Sequence, residues 1–166
     1  MIRVLAVGAA ILAGLACAGA AGLRFNTTPS MPVGIWRVTP RGEIARGAIV
    51  TACPAAREAR RYLRPGDCPL GVEPLVKPVA AVAGDVVTVS SAGVAVNGLP
   101  VAHTAQLARD SAGRSLQAVP AGRYRVAPGT VWLLSGHDPR SFDSRYFGPV
   151  PISAIRAVMR PVLVLP

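Results

Sequence analysis

Glycine and proline interrupt this chain at short intervals: 17 glycines and 16 prolines occur in 166 residues. The segments between them are apolar and rich in β-branched residues, and their lengths are typical of strands. Asn97-Gly98, between two such segments, predicts a type I′ hairpin. We therefore expect a mostly β domain, built as a sandwich or a partly closed barrel. The predicted strands are Val33–Val38, Ala48–Ala52, Leu75–Val82, Asp85–Ser90, Val94–Val96, Leu99–Val101, Val131–Ser135 and Ile155–Leu165.

Two segments depart from this pattern. Ala55–Leu63 lies between prolines and predicts one short helix. Val4–Leu23 is apolar or small throughout and carries no charge, and as a helix of about 20 residues it would cross the roughly 30 Å hydrocarbon core of a bilayer. We expect residues 1–24 to be a transmembrane anchor or, alternatively, a cleaved signal segment. Residues 25–166 are then a single domain.

The charge balance is strongly basic, with a net charge of +10. Nucleic-acid binding is not expected, because the basic residues are scattered and no nucleic-acid motif is present. A membrane surface with anionic lipids is the simpler partner. Of the 18 basic residues, Lys77 is the only lysine. Arginine does not lose its proton in a protein, whereas a desolvated lysine can, so Lys77 stands out as a potential base.

Cys53 and Cys68 lie fifteen residues apart in the segment that we expect to be exported. An oxidising compartment favours a disulfide between them, and two free buried thiols are the alternative. Zinc is not expected, because two cysteines without a nearby histidine leave the metal underliganded. No metal or other cofactor is therefore predicted.

Three segments carry candidate chemistry. The first, within a predicted loop over Arg24–Pro32, places Ser30 between Pro29 and Pro32 on a stiffened backbone. The second is Lys77 on an apolar strand, followed by Gly84-Asp85. The third is the polar turn Ser141-Phe142-Asp143-Ser144-Arg145-Tyr146-Phe147-Gly148-Pro149.

Together the three segments resemble the type I signal peptidases, and within them the TraF-type peptidases of conjugative transfer. The resemblance rests on Ser-Met-Pro, on the lysine with Gly-Asp seven and eight residues later, and on Ser-Phe-Asp-Ser-Arg. It implies a Ser/Lys endopeptidase with a mostly β catalytic domain, anchored in the bacterial inner membrane and facing the periplasm. Ser30 is then the nucleophile and Lys77 the general base. The resemblance also implies supporting roles for Thr28 in the oxyanion hole, for Ser141 in orienting Lys77, and for Asp143 and Arg145 as a structural ion pair.

The expected substrate is a pilin-like subunit of a conjugative secretion system, which TraF-type peptidases mature and can cyclise through its own amino terminus. A general signal peptidase that cuts after small residues is the second interpretation. The third is a non-catalytic periplasmic component of the transfer apparatus. His137, in a Gly-His-Asp-Pro turn, competes with Lys77 as a base, although a solvated turn histidine is its ordinary interpretation.

Overall fold

Antiparallel strands dominate the computed structural model of the chain. It describes residues 8, 19–39, 42–54 and 57–165, which form eleven strands in two sheets. The prediction of a mostly β fold is confirmed. Among these residues, no helix has the length and apolar character needed to cross a bilayer.

The larger sheet has seven strands in the order β1-β2-β11-β3-β4-β9-β10. Three of its six pairings join consecutive strands, namely β1–β2, β3–β4 and β9–β10. The other three, β2–β11, β11–β3 and β4–β9, join strands far apart in sequence. Its strands are β1 (Leu23–Asn26), β2 (Gly34–Thr39), β3 (Ile49–Ala52), β4 (Leu75–Ala81), β9 (Thr130–Leu133), β10 (Val150–Pro151) and β11 (Ile155–Val164).

The smaller sheet has four strands in the order β7-β6-β5-β8. Asn97 and Gly98, with φ of 51° and 83°, form the tight turn of its β6–β7 hairpin, as the sequence predicts. Its strands are β5 (Val86–Ser90), β6 (Gly93–Val96), β7 (Leu99–Pro100) and β8 (Gly122–Arg125). Alternating valines of β5 and β6 pack with Trp132 of the larger sheet and join the two sheets in one apolar cluster.

Within residues 57–165, the helical elements are short turns. The predicted helix over Ala55–Leu63 is a 3-10 helix at Arg57–Arg61, and residues 55 and 56 lie outside the described part of the chain. A second 3-10 turn is Ile152–Ala154. A single α-helical turn, α1 (Ser144–Phe147), lies in the third candidate segment, where the Asp143 carboxylate accepts a hydrogen bond from the Arg145 N–H.

The start of the domain differs from the prediction. Leu23 and Arg24 were expected to end a transmembrane helix and to open a loop, but both belong to β1. This strand pairs with β2 from Leu23 opposite Arg37 to Asn26 opposite Gly34, so its backbone is extended. Most of Val4–Leu23 lies outside the described residues, and the anchor itself stays a prediction.

Asp85 joins the end of β4 to the smaller sheet. Gly84 has a φ of 89°, which suits a residue without a side chain, and it turns the chain between β4 and β5. The Asp85 carboxylate accepts hydrogen bonds from the Val82 N–H at 2.8 Å and from Asn97 Nδ2 at 2.8 Å, and it pairs with Arg46. The Gly-Asp motif therefore fixes the end of the strand that carries Lys77.

Cys53 and Cys68 are joined by a disulfide, with their Cα atoms 5.4 Å apart. The bond is buried beside Val72, Leu63 and Leu70. It closes the segment between β3 and β4, so both ends of this segment are held against the larger sheet.

Reduction of this disulfide should lower the free energy of unfolding by about 3 kcal/mol, because a closed loop of about fifteen residues restricts the unfolded chain. The measurement is urea denaturation with and without dithiothreitol. The double variant Cys53→Ser/Cys68→Ser is the control and should be insensitive to the reductant. An unchanged urea midpoint on reduction of the native protein would contradict the prediction.

Candidate active site

Ser30 lies in the loop that joins β1 to β2. We call this loop (residues 27–33) the nucleophile loop, after the role predicted for Ser30. The loop is closed at its base by the pairing of Asn26 with Gly34. A side chain at Gly34 would lie 2.2 Å from the Leu163 carbonyl oxygen of β11, so this close approach requires glycine. The Ser30 side chain is partly exposed and lines a cleft.

Lys77 occupies the middle of β4, where buried and partly buried side chains alternate. It shares the buried positions with Leu75 and Val79 and is only 3% exposed. Burial disfavours the charged ammonium and lowers the pKa of Lys77 from 10.5 to about 8, although the nearby Asp143 carboxylate opposes the shift. A substantial fraction of Lys77 is therefore neutral in mildly alkaline solution.

The fold brings these two residues together. Lys77 Nζ lies 2.9 Å from Ser30 Oγ, across 47 residues of sequence. At this distance a neutral amine can accept the serine proton directly. Among the described residues, His137 makes no side-chain hydrogen bond to Ser30, and its ring is exposed.

Thr28, the predicted oxyanion residue, lies next to Ser30, with 3.4 Å between the two hydroxyl oxygens. Its hydroxyl donates to Asn26 Oδ1 at 2.9 Å and so is engaged in the resting structure. The Ser30 N–H donates to no acceptor among the described residues. An oxyanion at Ser30 can therefore use this N–H at once, whereas the Thr28 hydroxyl must first turn away from Asn26.

Ser141, the predicted orienting residue, is buried and lines the same cleft as Lys77. Its Oγ makes no hydrogen bond within the described part of the chain. The predicted contact with Lys77 is thus absent from the hydrogen bonds of this structure, and the orienting role stays a prediction.

Asp143 and Arg145 form an ion pair in which both side chains are fully buried. Two parallel hydrogen bonds of 2.9 Å join the guanidinium to the carboxylate. The two N–H groups of the remaining guanidinium nitrogen are shared among the carbonyls of His103, Ala105 and Pro139. The pair therefore holds the third segment to the long connection between β7 and β8 (residues 101–121).

Asn26 and Ser135 belong to the site but were not predicted. Ser135 is fully buried, its hydroxyl donates to the Ser30 carbonyl, and its N–H donates to Asp143 Oδ2 at 3.2 Å. It thus links the nucleophile loop to the buried ion pair. The only sequence signal for Ser135 was its place at the end of a predicted strand, just before the Gly136-His137-Asp138 turn.

The cleft around Ser30 and Lys77 has a volume of about 720 Å³. The disulfide-closed segment forms one wall with Leu63 and Asp67. Phe142 of the third segment packs on Tyr62 in a tilted arrangement, with ring centroids 4.9 Å apart. Apolar surface comes from Trp36, Leu75, Val76 and Met159. The cleft is large enough to hold several residues of an extended peptide.

Known proteins are similar to this sequence over most of its length. The family model described as "Signal peptidase, peptidase S26" matches residues 1–164. The plasmid transfer protein TraF of Escherichia coli is 39% identical over 161 residues, covering 91% of this chain and 90% of that protein. The conjugal transfer protein TraF of Agrobacterium fabrum is 39% identical over 170 residues, covering 98% and 94%.

Among solved structures, the crystal structure of a signal peptidase I from Enterococcus faecalis is similar at 19% identity. The match covers 70% of this chain and 97% of that chain, with a TM-score of 0.40.

Proposed function

Because this chain belongs to the peptidase S26 signal peptidase family and to its TraF-type branch, we propose that it is a serine endopeptidase that uses Ser30 as nucleophile and Lys77 as general base. The observation that carries the proposal is the 2.9 Å contact between Lys77 Nζ and Ser30 Oγ. It joins the only lysine of the chain to a serine held on a proline-restricted loop.

The proposed reaction proceeds through an acyl-enzyme. Neutral Lys77 takes the Ser30 hydroxyl proton while Oγ attacks the scissile carbonyl, and the Ser30 N–H stabilises the oxyanion. The protonated Lys77 then gives its proton to the leaving amine, and the peptide bond breaks. In the second half, Lys77 removes a proton from the incoming nucleophile, which attacks the ester and releases Ser30.

The proposed substrate is a pilin-like subunit of a conjugative transfer system. The support is the similarity to proteins named for plasmid and conjugal transfer. The incoming nucleophile is then water, or the amino terminus of the substrate itself, which would give a cyclic product. We place the catalytic domain on the periplasmic face of the inner membrane, next to a membrane-anchored substrate, where confinement raises the effective concentration of both partners.

The experiment that tests this function is intact-mass spectrometry of a candidate pilin precursor encoded beside this protein, co-expressed with the native protein or with Ser30→Ala. The proposal predicts cleavage after a small residue by the native protein alone. A product lighter than the linear form by one water indicates cyclisation. Cleavage of unrelated exported preproteins instead would favour a general signal peptidase. An uncut precursor and uncut preproteins would favour a non-catalytic component.

A further inference from the structure

The side chain of Asn26 lies buried beneath the nucleophile loop and contacts it on both sides of Ser30. We propose that Asn26 is a positioning residue that holds Ser30 in the geometry required for attack and leaves its oxygen free to react. This inference rests on the proposed function, because it assigns Asn26 a part in the chemistry of Ser30.

All polar atoms of the Asn26 side chain are engaged by the loop. Oδ1 accepts hydrogen bonds from the Thr28 N–H at 3.3 Å and from Thr28 Oγ1 at 2.9 Å. The carbonyl oxygens of Thr28, Met31 and Pro32 each lie 3.0 Å from Nδ2, so its two N–H groups are shared among three acceptors. One amide group therefore ties together the residues that precede and follow Ser30.

The loop depends on this amide because its own backbone offers little support. Pro29 and Pro32 have no N–H to donate. The backbone hydrogen bond that spans Ser30, from the Met31 N–H to the Thr28 carbonyl, is long at 3.5 Å. Asn26 itself is fixed, since it is the last residue of β1 and pairs with Gly34 of β2. Asn26 thus holds the loop in a fixed position relative to the sheet.

Asn26 also determines the direction of a proton next to the nucleophile. Because Thr28 Oγ1 donates to Asn26 Oδ1, its proton points away from Ser30 Oγ, 3.4 Å distant. A Thr28 hydroxyl that donated to Ser30 would occupy the lone pair that must attack the carbonyl. By accepting the Thr28 proton, Asn26 leaves Ser30 Oγ hydrogen-bonded to Lys77, which is the arrangement that permits proton transfer.

The test measures acylation of the purified full-length protein by the p-nitrophenyl ester of N-acetyl-alanine, which leaves an acyl group on a reactive serine and releases p-nitrophenolate. Ser30→Ala gives the background. For Asn26→Ala we expect the maximum acylation rate to fall about 100-fold, as for a misplaced reacting group. The half-saturating ester concentration should stay within about threefold, and the pH midpoint should not move, since Lys77 keeps its surroundings.

Asn97→Ala is the matched control. Asn97 also hydrogen-bonds through both ends of its amide, to Val86 and Asp85, but in the hairpin of the smaller sheet. This variant should lower stability and leave the acylation rate within about twofold of the native value. Such a result separates loss of positioning from general destabilisation.

Asn26→Asp is the second variant and decides the question if Asn26→Ala does not fold. It keeps an acceptor for Thr28 but loses the donors to three carbonyls, so we expect at least about a tenfold slower acylation. A folded Asn26 variant that acylates within about threefold of the native rate would overturn the inference. If the native protein itself were acylated no faster than Ser30→Ala, the proposed function would fail instead.

Discussion

Replacement of Lys77 by arginine or methionine should slow the acylation of Ser30 by about 10³-fold or more, the size of a general-base contribution. Ser30→Ala should reduce it to background. Arginine keeps the positive charge but cannot give up its proton, so it separates a base from a merely charged neighbour. The measurement is the rate of p-nitrophenolate release from the alanine ester used above, for variants of matched folded concentration.

Loss of activity in Lys77→Met should come with a gain in stability. The pKa of Lys77 is about 8 in the folded chain and 10.5 when unfolded, so the unfolded state binds more protons between these values. At pH 7 the shift costs the native protein about 3 kcal/mol, and the cost disappears as the pH rises through 10.5. Lys77→Met should therefore be more stable at pH 7 by up to about this amount.

Urea denaturation at pH 7 and pH 10.5 checks this prediction and shows whether an inactive variant is folded. If Lys77→Met is more stable than the native protein but inactive, Lys77 is retained for its chemistry at the expense of stability. A Lys77→Arg or Lys77→Met variant with near-native acylation would exclude Lys77 as the base.

Removing one partner of the buried Asp143–Arg145 pair should have the largest effect on stability. Both side chains are fully buried, so Arg145→Met leaves the Asp143 carboxylate without its counter-ion and three carbonyls without a donor. The expected loss is about 3–5 kcal/mol in the free energy of unfolding, measured by urea denaturation at pH 7.

The exposed pair Arg156–Asp67 is the matched control, with side chains 46% and 69% exposed. Arg156→Met should leave the free energy of unfolding almost unchanged, because solvent screens an exposed pair. The double variant Asp143→Leu/Arg145→Met should recover part of the loss, since no unpaired charge remains buried. Equal losses for Arg145→Met and Arg156→Met would contradict the structural role of the buried pair.

Features set by local sequence were predictable. The Asn97-Gly98 hairpin depends on two residues that accept positive φ, and it forms where expected. The apolar, β-branched run Leu75–Val82 likewise predicted a strand that carries Lys77 among apolar side chains, and β4 forms there. The disulfide was also predicted, although from the inferred compartment and the spacing rather than from local geometry.

Elements that depend on distant partners were missed. In β1, Leu23 was predicted to end an apolar segment and Arg24 to begin a loop, because the extended form of these residues requires pairing with β2. β8 has the sequence Gly-Arg-Tyr-Arg, which has weak strand preference, and it is placed by pairing with β5 and by the packing of Tyr124 on Trp132. Ser135 reaches Ser30 across 105 residues, a contact that no local pattern encodes.

The site was predictable in its chemical types but not in its hydrogen bonds. The lone lysine singled out Lys77, and the resemblance to the type I signal peptidases paired it with Ser30. The fold brings these two side chains to 2.9 Å. The contacts of Asn26 could not be predicted, because they depend on the shape of the loop, which turns three carbonyls toward one amide. The catalytic roles of Ser30, Lys77, Thr28 and Ser141 stay predictions.

We propose above all that neutral Lys77 is the base for Ser30. The titration of the Lys77 amine tests this most directly. Since Lys77 is the only lysine, protein labelled with ¹³Cε-lysine gives one signal whose pH midpoint reports this amine alone. We predict a midpoint of about 8, and an acylation rate that rises with pH through the same midpoint, because only the neutral amine accepts the serine proton. A midpoint near 10.5, or a rate that does not follow the titration, would contradict the account.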